Sequence, residues 1–206
     1  MSFDSIFYLC CFLPLVLALY WLTPRIKFKN WILLILGLIF YSFGSFSGIL
    51  LLLGSTAVTY VLGLLIRREK LAKSAMILGV GGNLIFLLVY KYLGTLLSQM
   101  FGLQQVAQSL IAPIGISFFT FKNISYLIDC YRSRETVTAR FQDYLLYVSF
   151  FPQIMAGPIT RFSDFSEQLK ERNGDLDKIT DGLQRFILGL FKKVILCSAI
   201  GSAVDR

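Results

Sequence analysis

From Asn30 to Ile66 the chain reads NWILLILGLIFYSFGSFSGILLLLGSTAVTYVLGLLI, without a single charged residue. As one helix this run would extend about 55 Å, against a bilayer hydrocarbon core of about 30 Å. It must turn, and Ser42-Phe43-Gly44-Ser45-Phe46-Ser47-Gly48 supplies the Gly- and Ser-rich turn. The run therefore divides into a span from about Trp31 to Phe43 and another from about Ile49 to Ile66. The first is short for a full crossing and calls for local thinning, tilt or help from its flanks.

Other uncharged stretches lie on either side. No charge occurs between Asp4 and Arg25, from Ser74 to Tyr90, or from Tyr92 to Phe121. Runs of this length and apolarity are membrane-span candidates. The further spans are Ser5 to Leu22, closed by Thr23-Pro24, then Ala75 to Leu97 and Leu110 to Ile128. The polar, uncharged stretch Ser98 to Ser109 reads as a loop. Apolar residues make up 56% of the chain and charged ones 16%, below the roughly 25% of soluble domains. The composition predicts an all-α polytopic membrane protein in a lipid bilayer: about five transmembrane helices forming one membrane domain over residues 1–206. The N-terminus lacks a basic region before its apolar run and carries Asp4, so it is expected to remain as a helix and not be cleaved as a signal.

The charges between the spans order them. Arg25, Lys27 and Lys29 follow the first span; Arg67, Arg68, Lys70 and Lys73 follow the third; Arg132, Arg134 and Arg140 follow the fifth. The connections after the second and fourth spans carry none. Basic and uncharged connections alternate, so the positive-inside rule puts the N-terminus outside and residues 130–140 in the cytoplasm. The net charge of +8 is thus topological, and nucleic acid is not expected as a partner. Cys10, Cys11, Cys130 and Cys197 form no CxxC pair and read as small buried hydrophobes, with no metal site.

Tyr144 to Thr160 breaks the pattern. Pro152, Gly157 and Pro158 preclude a straight helix, and irregular backbone at membrane depth survives only when protein covers it or it lines a wet cavity. A re-entrant element returning to the cytoplasmic side is the expectation, with a kinked crossing as the alternative. Residues 161–182 then form a cytoplasmic loop with some helix. Leu176, Ile179, Leu183, Phe186, Ile187, Leu190 and Val194 make one apolar stripe. This amphipathic helix either lies at the cytoplasmic interface or leads into another span through Ile195 to Val204. Since the chain ends at Arg206, soon after that run begins, more chain is expected beyond it.

Polar groups inside spans are functional candidates by default. Lys91 and Lys122 either snorkel to an interface or line a substrate path. Asn83, deeper in the fourth span, is expected to hydrogen-bond a neighbouring helix. Ala112 to Phe121 mixes breakers, hydroxyls and aromatics, and fits either close helix packing or the wall of a substrate path. In the stretch Phe150 to Arg161, Gln153 supplies an amide and Arg161 a guanidinium. Arg161 either meets a phosphate through bidentate donors or anchors the element at headgroup depth. The chain has no histidine, the usual general base for a hydroxyl, so no catalytic residue is assigned within it.

Several blocks resemble the membrane-bound O-acyltransferases, particularly the alginate O-acetyltransferase branch, with the D-alanyl transferases of teichoic acid synthesis as cousins. They are Ala112-Pro113-Ile114-Gly115-Ile116-Ser117-Phe118-Phe119-Thr120-Phe121 with Tyr126-Leu127-Ile128-Asp129, Tyr147 to Gln153 with Ala156-Gly157-Pro158-Ile159 and Arg161-Phe162, and Gly189-Leu190-Phe191-Lys192-Lys193-Val194. The resemblance implies a helical ring around a funnel, in the inner membrane of a bacterium. An acyl group, here acetyl, passes from acetyl-CoA or an acyl-carrier protein in the cytoplasm to an exported polysaccharide. No bound cofactor is implied. The family's key histidine falls in a second half that this chain does not include. The chain is therefore expected to be a front half, inactive alone, working with that other half and with a periplasmic or extracellular acetyltransferase partner. Lys122, Asp129, Pro152, Gln153, Gly157, Pro158 and Arg161 are the donor- or funnel-lining candidates. A non-catalytic assembly scaffold is the alternative, and a small transporter is a lesser one.

Overall fold

A computed structural model describes residues 5–44, 46–94, 96, 112–138, 140–154, 157–172 and 175–197. Among these residues the chain is helical, without a strand. The polar stretch Ser98 to Ser109, the start of the fifth span at Leu110, Ala156 and most of the run Ile195 to Val204 lie outside them.

Helix α1 (Leu13–Leu22) is entered through a π-helical stretch at Tyr8–Phe12. It stops at Thr23, whose extended backbone precedes Pro24. Helix α2 spans Ile26–Ser42 and α3 Phe46–Ile66, so the chain turns at Phe43-Gly44 within the Gly/Ser stretch, and α3 begins three residues before the expected Ile49. Helix α2 begins earlier than the expected Trp31, taking in Lys27, Lys29 and Asn30. That gives it about 25 Å and lessens the shortfall in length. Helix α4 spans Ala72–Leu88 and continues through a π-helical turn at Val89–Leu93.

The fifth expected span is displaced. Its helix, α5, covers Ile116–Arg132 and not Leu110–Ile128. Residues 113–116 form a turn, in which Ile116 N donates to the Pro113 carbonyl at 3.2 Å and Gly115 takes a left-handed φ of 77°, a conformation glycine adopts without steric cost. Helix α6 (Phe141–Ser149) ends at Phe150, one residue before a single helical turn, α7 (Phe151–Ile154). Gly157 follows with φ 74° and a cis bond to Pro158. Helix α8 spans Phe162–Lys170, within the expected polar loop, and α9 spans Leu176–Phe191, running on as a π-helix over Lys192–Cys197. Among the described residues two helical stretches, Ser47–Ile66 and Glu69–Leu93, are long and apolar enough to cross a membrane by length and composition.

Helix α4 packs on α3 and α5, while α2 packs on α1, α3 and α6. Two aromatic clusters fill the joints. Phe12 and Phe40 hold Phe151 of α7 at centroid distances of 5.4 and 5.7 Å. Tyr126 of α5 lies 4.2 Å from Tyr144 of α6 and 5.2 Å from Phe162 of α8. A polar seam crosses the apolar interior. Asn83 donates to Thr59 Oγ1 at 3.1 Å and to the Gly79 carbonyl at 2.8 Å. Asn123 donates to Asn83 Oδ1 at 3.3 Å, and Tyr144 to Asn123 Oδ1 at 2.6 Å. The amide of Asn83 thus bonds its neighbours on both sides, as a costly buried polar group should.

The basic connections gather at one end of the bundle. Arg67 donates to the Val137 carbonyl at 2.7 Å, and Arg134 pairs with Glu69 at 2.7 Å. The Arg134 guanidinium holds the exposed Glu69 carboxyl below its ordinary range. Asn30 donates to the Leu169 carbonyl at 3.0 Å, and Arg172 donates to Asn30 Oδ1 at 2.8 Å. At the other end, Tyr41 donates to the Ile114 carbonyl at 2.9 Å, joining the uncharged turn after α2 to the one before α5. Of the cysteines described, Cys130 is buried as expected; Cys10 and Cys11 are exposed, because they fall on the outward face of the first helix.

Candidate functional site

Lys122 sits midway along α5, and its side chain is fully buried. The expectation that it snorkels to an interface is overturned. A nearer set of acceptors explains this. Helix α6 ends at Ser149, and a helix end leaves its last four carbonyls without i+4 partners. One of these, the Tyr147 carbonyl, accepts from Lys122 Nζ at 2.8 Å. A cation there also complements the negative end of the helix. The ammonium lies 5.0 Å from the centre of the Tyr147 ring as well.

The same ammonium donates to Gln153 Oε1 at 3.1 Å. Gln153 also accepts from Thr160 Oγ1 at 3.4 Å, and Tyr147 Oη donates to the Thr160 carbonyl at 2.7 Å. The Gln153 carbonyl accepts from Gly157 N at 3.0 Å. Both arms of the broken loop are therefore tied to one buried cation and one tyrosine. The structure joins Lys122 to Gln153 and adds Tyr147 and Thr160, which the sequence did not single out. Tyr147 lay inside a quoted block, but its role depends on which way its ring and carbonyl point.

The remaining candidates are spread out. Asp129 lies two turns beyond Lys122 on α5, with Oδ2 buried and no hydrogen-bond partner. Gly157 is half-buried, with its left-handed backbone beside the Phe118 ring. Pro152, Pro158 and Arg161 are exposed. Arg161 precedes α8 with an extended backbone and is not part of the Lys122 group. Lys91 is exposed and donates to Ser117 Oγ at 3.4 Å. Among the described residues, no group of three His, Cys, Asp or Glu side chains is placed to hold a metal. The Lys122 group brings together an amine, a phenol, an amide and a hydroxyl, joined by hydrogen bonds. Its chemistry is that of a clamp.

A separate cleft of about 520 Å³ opens at the basic end, walled by the first turns of α2, the segment 135–143 and α8. Lys27, Arg140 and Lys170 face it, with Asn30, Trp31 and Ser166. Sequence reading counted these cations for topology only, because they lie far apart along the chain.

Helices, broken loop and ordered motifs converge on one class: the chain belongs to the membrane-bound O-acyltransferase (MBOAT) family, whose sequence model matches residues 6–203. Its similarity to particular members runs end to end. It is 36% identical to the probable alginate O-acetylase AlgI of Pseudomonas aeruginosa, over 100% of this chain and 42% of that protein. It is 32% identical to the peptidoglycan O-acetyltransferase of Helicobacter pylori, over 98% of this chain and 46% of that protein. A teichoic acid D-alanyltransferase of Streptococcus thermophilus is 30% identical over 46% of this chain and 23% of its own length. The chain thus spans less than half the length of these relatives. No solved structure matches it significantly.

Proposed function

We propose that this chain forms the front part of a membrane O-acyltransferase that moves an acyl group, acetyl by preference, from a cytoplasmic thioester to a hydroxyl of an exported polysaccharide. The observation that carries this reading is the end-to-end similarity to O-acetylases acting on alginate and peptidoglycan. The clamped loop supports it: backbone broken at Phe150 and Gly157 is tolerated at membrane depth only under protein cover or along a wet path.

In this reading helices α1 to α5 cross a bacterial inner membrane, and the N-terminus faces outward. The basic end of the bundle faces the cytoplasm, in keeping with the positive-inside rule. Helix α6, at about 13 Å, is too short to cross, so the segment 141–161 enters and returns. Helix α9 lies at the cytoplasmic interface, where its Ile179, Leu183, Phe186 and Ile187 side chains, exposed here, meet lipid. In the reaction the thioester C–S bond breaks and a C–O bond forms. The hydroxyl proton passes to a base and then to the departing thiolate. That base is a histidine in the part of the relatives' length that this chain does not cover. Lys122 and Tyr147 hold the loop that lines the approach to it.

The test is O-acetyl content of the exported polysaccharide in cells carrying the full-length protein, its deletion, or Lys122→Met. Deletion should abolish acetylation. Lys122→Met should lower it at least about tenfold, equivalent to about 1.4 kcal/mol, at equal protein level in the membrane. Unchanged acetylation on deletion refutes the function; unchanged acetylation in Lys122→Met refutes the clamp's part in it.

A further inference from the structure

We infer that the cleft at the basic end is a binding site for the phosphate headgroup of an anionic phospholipid. The inference uses the membrane orientation given above but not acyl transfer.

Three cations from three separate elements face the cleft: Lys27 from the first turn of α2, Arg140 from the residue before α6, and Lys170 from the end of α8. Among the described residues none of the three has a carboxylate within 4 Å, the resolved ion pair being Arg134–Glu69. Glu135 and Asp143 also line the cleft. Three cations against these two carboxylates leave the cleft a net positive charge, as a receptor for an anion requires.

The cleft is held in shape. Asn30, on its wall, is fixed from both sides by its bonds to the Leu169 carbonyl and to Arg172. Arg172 is also anchored through Nε to the Gln168 carbonyl at 2.8 Å. The spacing between α2 and α8 is therefore set by hydrogen bonds, and Ser166 on α8 offers a neutral donor within it.

A lipid fits better than a free phosphate compound because the cleft is continuous with apolar surface. Trp31 lines it while remaining 45% exposed, and Phe28 and Ile35 on α2 are 56% and 51% exposed. These side chains offer acyl chains a track along α2 while the headgroup reaches the cations. A tryptophan at the junction suits headgroup depth. Basic pockets between helices on the cytoplasmic side bind anionic headgroups, with about 1 kcal/mol per cation near the surface.

Native mass spectrometry of the full-length protein, equilibrated with equal phosphatidylglycerol and phosphatidylcholine, tests this. Wild type should retain phosphatidylglycerol preferentially. Lys27→Gln and Lys170→Gln should each lower that preference roughly fivefold, and the triple variant with Arg140→Gln should abolish it. Arg25→Gln/Arg68→Gln/Lys73→Gln, equally basic but outside the cleft, should preserve it. Equal loss in that control set, or retained preference in the cleft variants, overturns the site. Displacement of phosphatidylglycerol from wild type by soluble coenzyme A overturns the lipid in favour of a soluble phosphate ligand. Orientation is measured separately by labelling Arg68→Cys with an impermeant maleimide before and after permeabilisation, so a failure of the topology is distinguishable from a failure of the site.

Discussion

Lys122 is the residue whose behaviour departs furthest from its sequence context. Lysine near a span end normally extends its flexible stem to water. Here a carbonyl at the end of α6 and an amide oxygen on α7 lie within 3.1 Å of its ammonium, so the group is bonded inside the protein. Charge-assisted hydrogen bonds of this kind are worth about 1.5–3 kcal/mol each. Lys122→Met should therefore lower the unfolding free energy in micelles by about 2 kcal/mol, because it leaves the Tyr147 carbonyl unpaired and Gln153 Oε1 with Thr160 alone. Gln153→Leu should cost less, since the ammonium keeps the Tyr147 carbonyl. The double variant should fall short of the sum by about 1 kcal/mol, the coupling expected of groups in direct contact. Strict additivity in that cycle would show that the two side chains do not act together. The sequence marked both residues, through a charge in a span and an amide between prolines, but not that they meet.

At the scale of elements, breakers were legible and helix starts were not. Thr23-Pro24 and the Gly/Ser turn interrupt helix where expected, and Pro152 sits in the first turn of α7 just past the break at Phe150, because proline and glycine act through local backbone geometry. The start of α5 was misplaced because apolar composition alone continues through Ala112 to Ile116. The decisive fact is tertiary: at Gly115 an added Cβ would run into the Ile154 carbonyl oxygen, and φ is 77°. Gly115→Ala should accordingly destabilise the protein by more than about 1–2 kcal/mol, the cost of left-handed backbone for a residue with a side chain. Gly81, inside α4 with nothing within 4 Å of an added Cβ, is the comparison. Gly81→Ala should leave stability unchanged or raise it by about 0.5–1 kcal/mol. Thermal unfolding in one detergent measures both, and equal effects would mean that backbone conformation at Gly115 is not the constraint.

For the whole molecule, alternating charge in the connections and the observed packing lead to the same two ends. The connections at 67–73 and 133–140 touch through Arg67 and Arg134, while the turns at 43–44 and 112–115 touch through Tyr41. A topology experiment follows. In a background with the native cysteines replaced, Gly44→Cys should react with a membrane-impermeant maleimide added to intact spheroplasts. Arg68→Cys and Ser133→Cys should react only after permeabilisation. The reverse pattern would invert the proposed orientation, and labelling of all three from one side would refute the crossing of α3.

The sequence by itself determined the helical class, the family, the break in the 144–160 element and the charge asymmetry of the connections. Each is a local property: hydropathy over a span, proline and glycine at fixed positions, motif order. Only the tertiary structure decided that Lys122 faces inward, that Tyr147 and Gln153 tie the broken loop to it, and that Lys27, Arg140 and Lys170 share one cleft. Tyr147 and Gln153 lie 25 and 31 residues from Lys122, and the cleft cations 30 to 143 residues from one another. Their meeting depends on where helices end and how they cross, because an unpaired carbonyl or an uncompensated cation acquires a partner only once packing has set the distance.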